Sequence, residues 1–239
     1  MEWQTIIRGY FHKLQLILGQ CDLCGNATQK YPLLCSTCFE ALPLFNQDLI
    51  QGDLLNWPAV SKGLPRANFD RLFSLSPYLP PFTHWLTTFK YNGRFELATI
   101  FANLLAEQWL ASEPRQTKKP DYIVLSVPLH SSKWQIRGYN QAHLIAKRFA
   151  QKVQLPYQAL ALQRVKKNAS QVGKTGEQRR NNLSKAFTVD KHLIKHCKQV
   201  VLIDDVLTTG STVNEICKLL KSQGVETVTV VTVCLTLPK

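Results

Sequence analysis

The chain has 239 residues, of which 45% are hydrophobic and 19% are charged, a composition that supplies a buried core and excludes a wholly disordered protein. At ~150 residues per domain, this length fits one large domain or a medium domain with a small one. The formal net charge is +13, no run of ~18 apolar residues is present to span a membrane, and the N-terminal residues lack the pattern of a secretory signal, so we expect a cytoplasmic protein with an anionic partner.

The first 18 residues place apolar side chains at helical spacing, from Trp3 to Leu18, which predicts an amphipathic helix over residues 3–18. Its polar side carries only Arg8 and Lys13 as basic residues, which is weak support for binding to a membrane surface. We expect this helix to pack beside the cysteine-rich segment that follows it.

Four of the seven cysteines fall within 18 residues, in two Cys-x-x-Cys pairs separated by ten residues. The four are Cys21, Cys24, Cys35 and Cys38. Each tight turn presents two thiolates from one side, so the two pairs together can surround one tetrahedral Zn²⁺. We therefore predict a structural zinc site, in which four protein ligands leave no open position for catalysis.

Other interpretations of the cysteines are weaker. Two disulfides need an oxidising compartment, and a redox-active Cys-x-x-Cys pair does not need a second pair close by. A second metal site at His192, His196 and Cys197 is disfavoured, because the segment is rich in lysine and histidine pairs one helical turn apart are common by chance.

Residues 41–68 contain three prolines and two glycines, which predicts a connection between two modules. We assign residues 1–60 to the helix and the four-Cys module, and residues 61–239 to a larger domain. In the larger domain, strands alternate with helices, which predicts an α/β fold with a parallel, doubly wound sheet flanked by helices. The strands are predicted at 69–78, 122–127, 200–203 and 226–233, and the helices at 82–90, 96–110, 141–152 and 212–222.

The positive charge is concentrated in one window of the sequence. Residues 133–199 contain 15 basic and 2 acidic side chains, whereas both flanking segments are close to neutral. Such an imbalance causes self-repulsion unless anions occupy the surface, so it favours phosphates or a polyanion as a partner over a merely solvated face.

The most informative segment is a strand–turn–helix at residues 200–212. Its strand is followed by Asp204 and Asp205, at the edge where parallel α/β sheets bind ligands. The next turn is rich in small hydroxyl residues and opens a helix, whose N-terminus supplies free N–H groups and a positive dipole end. We predict a phosphate-monoester site in this turn, with the two carboxylates accepting hydrogen bonds from sugar hydroxyls. The turn consists of Thr208, Thr209, Gly210, Ser211 and Thr212.

Two other phosphate-binding motifs do not fit. The segment that ends in Gly173-Lys174-Thr175 has Asn168 in place of the first glycine of a Walker A loop, and no strand precedes it. The chain also contains no Gly-x-Gly-x-x-Gly dinucleotide fingerprint.

Residues 200–212 closely resemble the PRPP-binding motif of type I phosphoribosyltransferases. In that family the two acidic residues contact the ribose 2′- and 3′-hydroxyls, and the TTGST-like turn binds the 5′-phosphate. The resemblance therefore implies that Asp204 and Asp205 bind the ribose of PRPP (5-phosphoribosyl diphosphate), and that residues 208–212 bind its phosphate.

Three further segments narrow the resemblance to ComF-type proteins. They are VPLH at 127–130 with RGYNQ at 137–141, KYNGR at 90–94, and an element with SQ, RRNN and AF between residues 170 and 187. ComF-type proteins also carry an N-terminal four-Cys zinc finger, so the resemblance covers nearly the whole chain in the right order. The chain departs from the expected pattern at Asn168, where a threonine is usual.

The resemblance implies a role in natural competence, in which incoming single-stranded DNA is handled on the cytoplasmic side, with other competence proteins at the inner membrane face as candidate partners. It also implies Mg²⁺ bound together with PRPP, because the ligand's oxygens are of the hard type that this ion prefers. The candidate contacts of the pyrophosphate arm are Pro128, Leu129, His130, Lys90, Lys133 and Arg137.

The basic window also favours sequence-independent contacts with DNA phosphates, which weaken as salt increases. Trp134, Tyr139 and Phe149 are candidates for stacking on bases, although core packing explains each of them as well. The candidate DNA-contacting cations are Arg164, Lys166, Lys167, Lys174, Arg179 and Arg180.

Three functions stay open at this point. The favoured one is a ComF-type protein that binds PRPP and single-stranded DNA during DNA uptake. The second is a working phosphoribosyltransferase that transfers ribose 5-phosphate from PRPP to an acceptor that the sequence does not reveal. The third is an adaptor with a vestigial pocket, which the intact Asp204, Asp205 and TTGST turn disfavour.

Overall fold

A computed structural model of the chain describes residues 19–28, 31–64, 67–112, 122–165 and 186–236, and the helix predicted at 3–18 lies outside them. Within the described residues, the helices are α1 (Ser36–Glu40), α2 (Pro58–Gly63), α3 (Phe82–Tyr91), α4 (Leu97–Ser112), α5 (Ser131–Arg137), α6 (Gln141–Val153), α7 (Lys191–Ile194) and α8 (Ser211–Ser222). The strands are β1 (Arg71–Pro77), β2 (Tyr122–Ser126), β3 (Leu162–Arg164), β4 (Phe187–Val189), β5 (Gln199–Leu207) and β6 (Thr227–Leu235), and a 3₁₀ turn covers Leu54–Asn56.

Four strands form one parallel sheet in the order β1–β6–β5–β2, which confirms the predicted parallel α/β architecture. β5 lies inside this sheet, paired with β2 from Gln199 to Ile203 and with β6 from Gln199 to Leu207. Its apolar, β-branched run suits a strand that has neighbours on both sides and helices over both faces. Asp204 and Asp205 therefore lie on one of the two inner strands of the sheet.

Alternate side chains of β5 enter two separate hydrophobic cores. Val201 and Ile203 pack with α3, α4 and α6 on one face, whereas Val200 and Leu202 pack with α8 on the other. All four side chains are fully buried, and each such burial contributes about 1.5–3 kcal/mol relative to an exposed position. Packing on both faces of the sheet therefore fixes the position of the polar residues at its carboxyl edge.

The four-Cys segment is a small, turn-rich unit packed on the same core. An antiparallel bridge joins Gln20 to Ala27 around the first cysteine pair, and Gly25 within it has φ +78°, a conformation that favours glycine. The spacer returns through Leu33 and Leu34, which are buried in the core that also contains α3 and α4. The division of the chain at residue 60 stays a prediction.

Residues 54–63 are more regular than the predicted connection. They form the 3₁₀ turn and α2, and Leu54 and Val60 are buried in the core on the α8 side of the sheet. Asp53 accepts hydrogen bonds from the N–H groups of Leu55 at 2.9 Å and Leu72 at 3.0 Å, which ties the segment to β1. The prolines and glycines here shape short turns rather than a loose linker.

Seven short elements were not predicted: the helices α1, α2, α5 and α7, the strands β3 and β4, and the 3₁₀ turn. α5 has seven residues, and β3 and β4, which pair antiparallel, have three residues each, so none is long enough for hydrophobic periodicity to reveal. None of the helices in the described ranges combines the length and the apolar character needed to cross a membrane.

Candidate functional site

The turn between β5 and α8 gathers groups that suit a phosphate. Gly210 has φ +70°, and a Cβ placed there would lie 3.4 Å from Leu64 Cδ2 on a strained left-handed backbone. α8 begins at Ser211 without a side-chain cap, so the N–H groups of its first turn stay available to an anion. The Oγ1 atom of Thr209 lies 3.0 Å from Oγ of Ser211, which adds hydroxyl donors in the same turn.

Asp204 and Asp205 are neighbours on β5 with different surroundings. Lys90 on α3 forms an ion pair with Asp205, with 3.1 Å between Nζ and Oδ2. Oδ1 of Asp204 accepts a hydrogen bond from the N–H of Asp205 at 2.8 Å. Burial, followed by the charge of Asp205, raises the pKa of Asp204 to about 7. A ligand hydroxyl that donates a hydrogen bond to Asp204 relieves this cost of ionisation.

The segment after β2 lies at the same edge of the sheet. The N–H of Val127 donates to the carbonyl of Ile203 at 2.9 Å, which extends the β2–β5 pairing into the turn. His130 caps α5, since its Nδ1 accepts a hydrogen bond from the N–H of Ser132 at 3.2 Å. Burial, followed by the charge of Arg164, lowers the pKa of His130, so its imidazole is neutral at pH 7.

The RGYNQ motif joins α5 to α6, and each residue has a structural role. Arg137 ends α5, and Gly138 follows with φ +73° as its left-handed C-cap. Tyr139 packs against an aromatic ring of α3. Asn140 caps α6 and donates to a carbonyl of the segment after β2 at 3.0 Å. Gln141 accepts a hydrogen bond from Arg137 at 3.0 Å, which holds the guanidinium at the sheet edge.

The KYNGR segment at the end of α3 brings a second aromatic residue to this edge. Arg137 donates a hydrogen bond to the hydroxyl of Tyr91 at 3.1 Å, and its guanidinium carbon lies 5.0 Å from the centroid of that ring. This hydrogen bond is the main cause that lowers the pKa of Tyr91. Lys90 and Tyr91, adjacent in sequence, thus contact groups on β5 and α5 respectively.

These elements enclose a cavity of about 420 Å³, a volume typical of sites for small ligands. The structure brings the two halves of the predicted site together, because residues from both line this cavity. The predicted residues that line it are Asp204, Asp205, Thr208, Thr212, Pro128, Leu129, His130, Lys90, Lys133, Arg137 and Arg164. Thr209, Gly210 and Ser211 lie in the same turn, between two residues that do line it.

Cations outnumber acidic groups in this lining. Among the described residues, two lysines and two arginines line the cavity against two aspartates, one of which is paired with Lys90. Arg164 reaches it from β3, with its guanidinium carbon 5.1 Å from the centroid of the Phe187 ring. Burial lowers the pKa of the Arg164 guanidinium. Such a cavity attracts a small anion that carries several charges.

The residues predicted for DNA binding are only partly described. Arg164 lines the cavity, and the other five cations, Lys166, Lys167, Lys174, Arg179 and Arg180, lie outside the described residues. The three aromatic candidates differ. Trp134 is exposed, Tyr139 is partly buried, and Phe149 is fully buried in the core, so packing is the right interpretation for Phe149.

The four cysteines of the N-terminal unit meet, as predicted. The Sγ atoms of Cys21, Cys24, Cys35 and Cys38 all lie within 4.8 Å of one another, and those of Cys24 and Cys35 are 3.6 Å apart. Four sulfurs bound tetrahedrally at about 2.3 Å from one ion are roughly 3.8 Å apart, so the group can hold a single metal ion. All four are free thiols, which disagrees with the two-disulfide interpretation. In the part of the chain that the structure describes, no second cluster of metal-ligating side chains is found.

A buried ion pair fastens the four-Cys unit to the sheet domain. Asp22, inside the first cysteine pair, has Oδ1 2.9 Å from a terminal nitrogen of Arg94, and its Oδ2 accepts a hydrogen bond from Nε1 of Trp85 at 2.7 Å. Arg94 is 4% exposed and also pairs with Glu96 at 2.8 Å. The same five-residue segment therefore reaches the cavity through Lys90 and the four-Cys unit through Arg94.

Sequence reasoning missed part of the cavity wall and the ion pair. Tyr78 follows β1 and Thr236 follows β6, and both line the cavity because the carboxyl ends of parallel strands share one edge. This property of parallel sheets could have predicted from the sequence that both residues lie near the site. Asp22 and Arg94 are 72 residues apart in the sequence, so no local sequence pattern predicts that they pair.

Residues 137–237 match the family described as "Phosphoribosyl transferase domain". The DNA utilization protein YhgH of Salmonella typhimurium is 34% identical over 220 residues, which cover 92% of this chain and 91% of that relative. Competence protein F of Haemophilus influenzae is 32% identical over 217 residues, which cover 88% of this chain and 82% of that relative. A crystal structure of adenine phosphoribosyl transferase from Trypanosoma brucei aligns with a TM-score of 0.40 and 15% identity, over 67% of this chain and 70% of that one.

The family assignment rests on the two sequence relatives. More than four fifths of each chain aligns, at more than 30% identity, so the likeness extends over the whole protein and not over one motif. The domain match contains the RGYNQ motif, β5 and the turn at 208–212. The four-Cys group in the structure agrees with the finger expected before this domain. The chain therefore belongs to the ComF family of competence and DNA utilization proteins, which carry a phosphoribosyltransferase-type domain.

Proposed function

We propose that this chain is a ComF-type protein of the cytoplasm that binds PRPP, or a related phosphoribosyl group, and single-stranded DNA, and that it acts in DNA uptake during natural transformation. The observation that carries the proposal is the cavity at the sheet edge, which combines paired carboxylates, hydroxyl donors and four cations. The names of the relatives, for DNA utilization and competence, support the DNA part. Other competence proteins at the inner membrane face are proposed as further partners.

The phosphoribosyl ligand is proposed to lie across the cavity. The 5′-phosphate binds the turn at 208–212, the ribose hydroxyls donate to Asp204 and Asp205, and the diphosphate contacts Lys133 and Arg137. Mg²⁺ suits this ligand, because diphosphate and hydroxyl oxygens are the donors it prefers, and it supplies charge neutralisation when bound. The lining already holds more cations than acidic groups, so the chain's own side chains share that task.

Zn²⁺ is the metal proposed for the four-Cys group. Four thiolates at tetrahedral spacing suit zinc and not the hard cations, which prefer oxygen donors. The role is structural, because the protein fills all four positions. The pKa of Cys38 is raised by its contact with Cys24 and then by desolvation, and a bound cation removes this obstacle to ionisation.

DNA binding is proposed to depend on the basic window at 133–199. Lysine and arginine contacts to phosphates make the affinity independent of sequence and strongly dependent on salt. A charge-reversed variant at Lys166, Lys167, Arg179 and Arg180 is expected to reduce both the affinity for oligothymidylate and the salt dependence. If the wild-type protein fails to bind oligothymidylate at about 50 mM salt, this part of the proposal is wrong.

The phosphoribosyl proposal is tested by comparing ribose 5-phosphate with inorganic phosphate in calorimetric titrations. Wild type is expected to prefer ribose 5-phosphate by roughly 10-fold or more, because hydrogen bonds to charged carboxylates contribute about 1.5–3 kcal/mol. The double variant Asp204→Asn/Asp205→Asn is expected to lose this preference while still binding phosphate. Asp190→Asn, at a carboxylate that caps α7, is the control. Equal affinities in wild type would show that ribose is not recognised.

A working transferase is the second candidate, and the cations beside the carboxylates favour it because a departing diphosphate needs them. The measurement is pyrophosphate release from PRPP in the presence of a panel of bases and of single-stranded DNA. Release that depends on Asp204 and Asp205 would assign transfer to this cavity. Tight PRPP binding without pyrophosphate release would indicate that the chain binds PRPP and does not transfer its ribose 5-phosphate.

A further inference from the structure

Tyr91 is an exposed aromatic ring at the rim of the cavity. It is 62% exposed, although it directly follows Lys90, which lines the cavity, and contacts Arg137, which also lines it. The pKa of this tyrosine is lowered by the same arginine, which places the ring in the cationic part of the site. Core packing therefore explains the neighbouring Tyr139 but not Tyr91.

Arg137 lines the cavity and also contacts the Tyr91 ring. One terminal nitrogen donates to the hydroxyl of Tyr91 at 3.1 Å, and the other donates to Oε1 of Gln141 at 3.0 Å. Gln141 is 1% exposed, so the guanidinium is anchored to a buried residue at the start of α6. The guanidinium carbon lies 5.0 Å from the centroid of the Tyr91 ring, so the two side chains already form a cation–π contact.

We propose that Tyr91 and Arg137 form a stacking platform for a base of single-stranded DNA, whose adjoining phosphate lies among the cations of the cavity. The inference rests on the proposed function and assigns residues to its DNA-binding part. Bases stack on aromatic rings and guanidinium planes whatever their sequence, and Lys133 beside Arg137 supplies the phosphate contact.

The charges beside Tyr91 favour this occupant over a protein partner. Arg137 contacts the tyrosine, and Lys133 on the same helix lines the cavity, so the cations near the ring suit the phosphates of a nucleic acid. A duplex keeps its bases stacked on one another, so only a single strand can offer a free base face to the ring.

The test compares Tyr91→Ala and Tyr91→Phe with wild type, using a labelled 12-residue oligothymidylate and an abasic oligomer of equal length. Leu110→Ala, at a side chain on α4 that is 58% exposed, is the matched control. Tyr91→Ala is expected to weaken oligothymidylate binding by about 5- to 100-fold, while Tyr91→Phe stays within about 3-fold of wild type. All proteins are expected to bind the abasic oligomer equally, and ribose 5-phosphate affinity is expected to stay within about 2-fold.

Each other result has a defined meaning. Equal oligothymidylate affinity in Tyr91→Ala and wild type overturns the platform and leaves the proposed function standing. An equal loss on the abasic oligomer, or a parallel loss of ribose 5-phosphate binding, also overturns it, because neither depends on stacking. Failure of wild type to bind either oligomer overturns DNA binding and the platform together, whereas the phosphoribosyl site is judged separately by ribose 5-phosphate.

Discussion

Ionisation of Asp204 lowers the stability of the folded protein. Burial and the charge of Asp205 raise its pKa to about 7, whereas an unfolded aspartate has a pKa of about 3.9. A group whose pKa is raised on folding contributes stability below its unfolded pKa and loses that contribution as the pH rises through its folded value. The ligand-free protein is therefore expected to lose stability between about pH 4 and pH 7 through this residue.

Replacing Asp204 with asparagine tests this cost directly. The near-isosteric side chain cannot ionise, so Asp204→Asn is expected to be more stable than wild type at about pH 8 and to lose that advantage towards about pH 5. Urea unfolding of both proteins at both pH values gives the difference in the free energy of unfolding. Glu226→Gln, at an exposed position, is the control. A stability loss in Asp204→Asn at both pH values would mean that the carboxylate is structural.

Substitutions at Gly210 and Gly224 distinguish an effect of backbone strain on stability from an effect on ligand binding. Both have positive φ, at +70° and +92°, but a Cβ would meet Leu64 only at Gly210. Gly210→Ala and Gly224→Ala are each expected to lower the free energy of unfolding by about 1–2 kcal/mol, the cost of a left-handed alanine. Only Gly210→Ala is expected to weaken ribose 5-phosphate binding, as measured by calorimetry. Equal binding by both variants would remove the turn from the site.

Among the elements, the end of α3 and the turn after it contact three other parts of the molecule. Within five residues this segment pairs with β5 through Lys90, with α5 through Tyr91 and with the four-Cys unit through Arg94. α3 ends at Tyr91, and Gly93, with φ +66°, lies in the turn that leads to Arg94. The KYNGR segment is therefore a structural junction as well as part of the cavity wall through Lys90.

The buried pair of Asp22 and Arg94 is expected to matter far more than a surface pair. Arg94→Met removes one partner and leaves Asp22 buried, which typically costs about 3–5 kcal/mol. Lys198→Met breaks the exposed pair with Glu226 and is expected to cost less than about 1 kcal/mol. Denaturant unfolding of both variants gives the two values. Similar losses would show that the pair does not fasten the finger to the sheet domain.

At the scale of the whole molecule, the finger and the sheet share one core, so metal loss is expected to spread beyond the cysteines. Trp85 donates its indole N–H to Asp22 and is fully buried, so it reports on this contact. Chelation is expected to release one zinc ion per chain, lower the melting temperature and change the near-ultraviolet dichroism. Cys24→Ser is expected to reproduce these changes. An unchanged melting temperature after complete zinc removal would contradict a structural role.

The elements that were predicted well from the sequence are those whose determining residues are close together in the chain. The apolar run of β5, its two aspartates and the glycine turn are consecutive, so the strand, the turn and α8 follow from one another. α5, β3 and β4 escaped prediction because they are short and held by neighbours, as His130 holds the start of α5. The cavity itself depends on strand order, which places residues after β1, β2, β5 and β6 on one edge. No local pattern encodes that order.

A crystal structure of the protein with ribose 5-phosphate would locate the ligand directly. We expect the phosphate at the turn 208–212, about 2.7–3.1 Å from N–H groups at the start of α8, with ribose hydroxyls hydrogen-bonded to Asp204 and Asp205. A phosphate held by Lys133 and Arg164 without contact to that turn would contradict this expectation, as would a ligand bound outside the cavity.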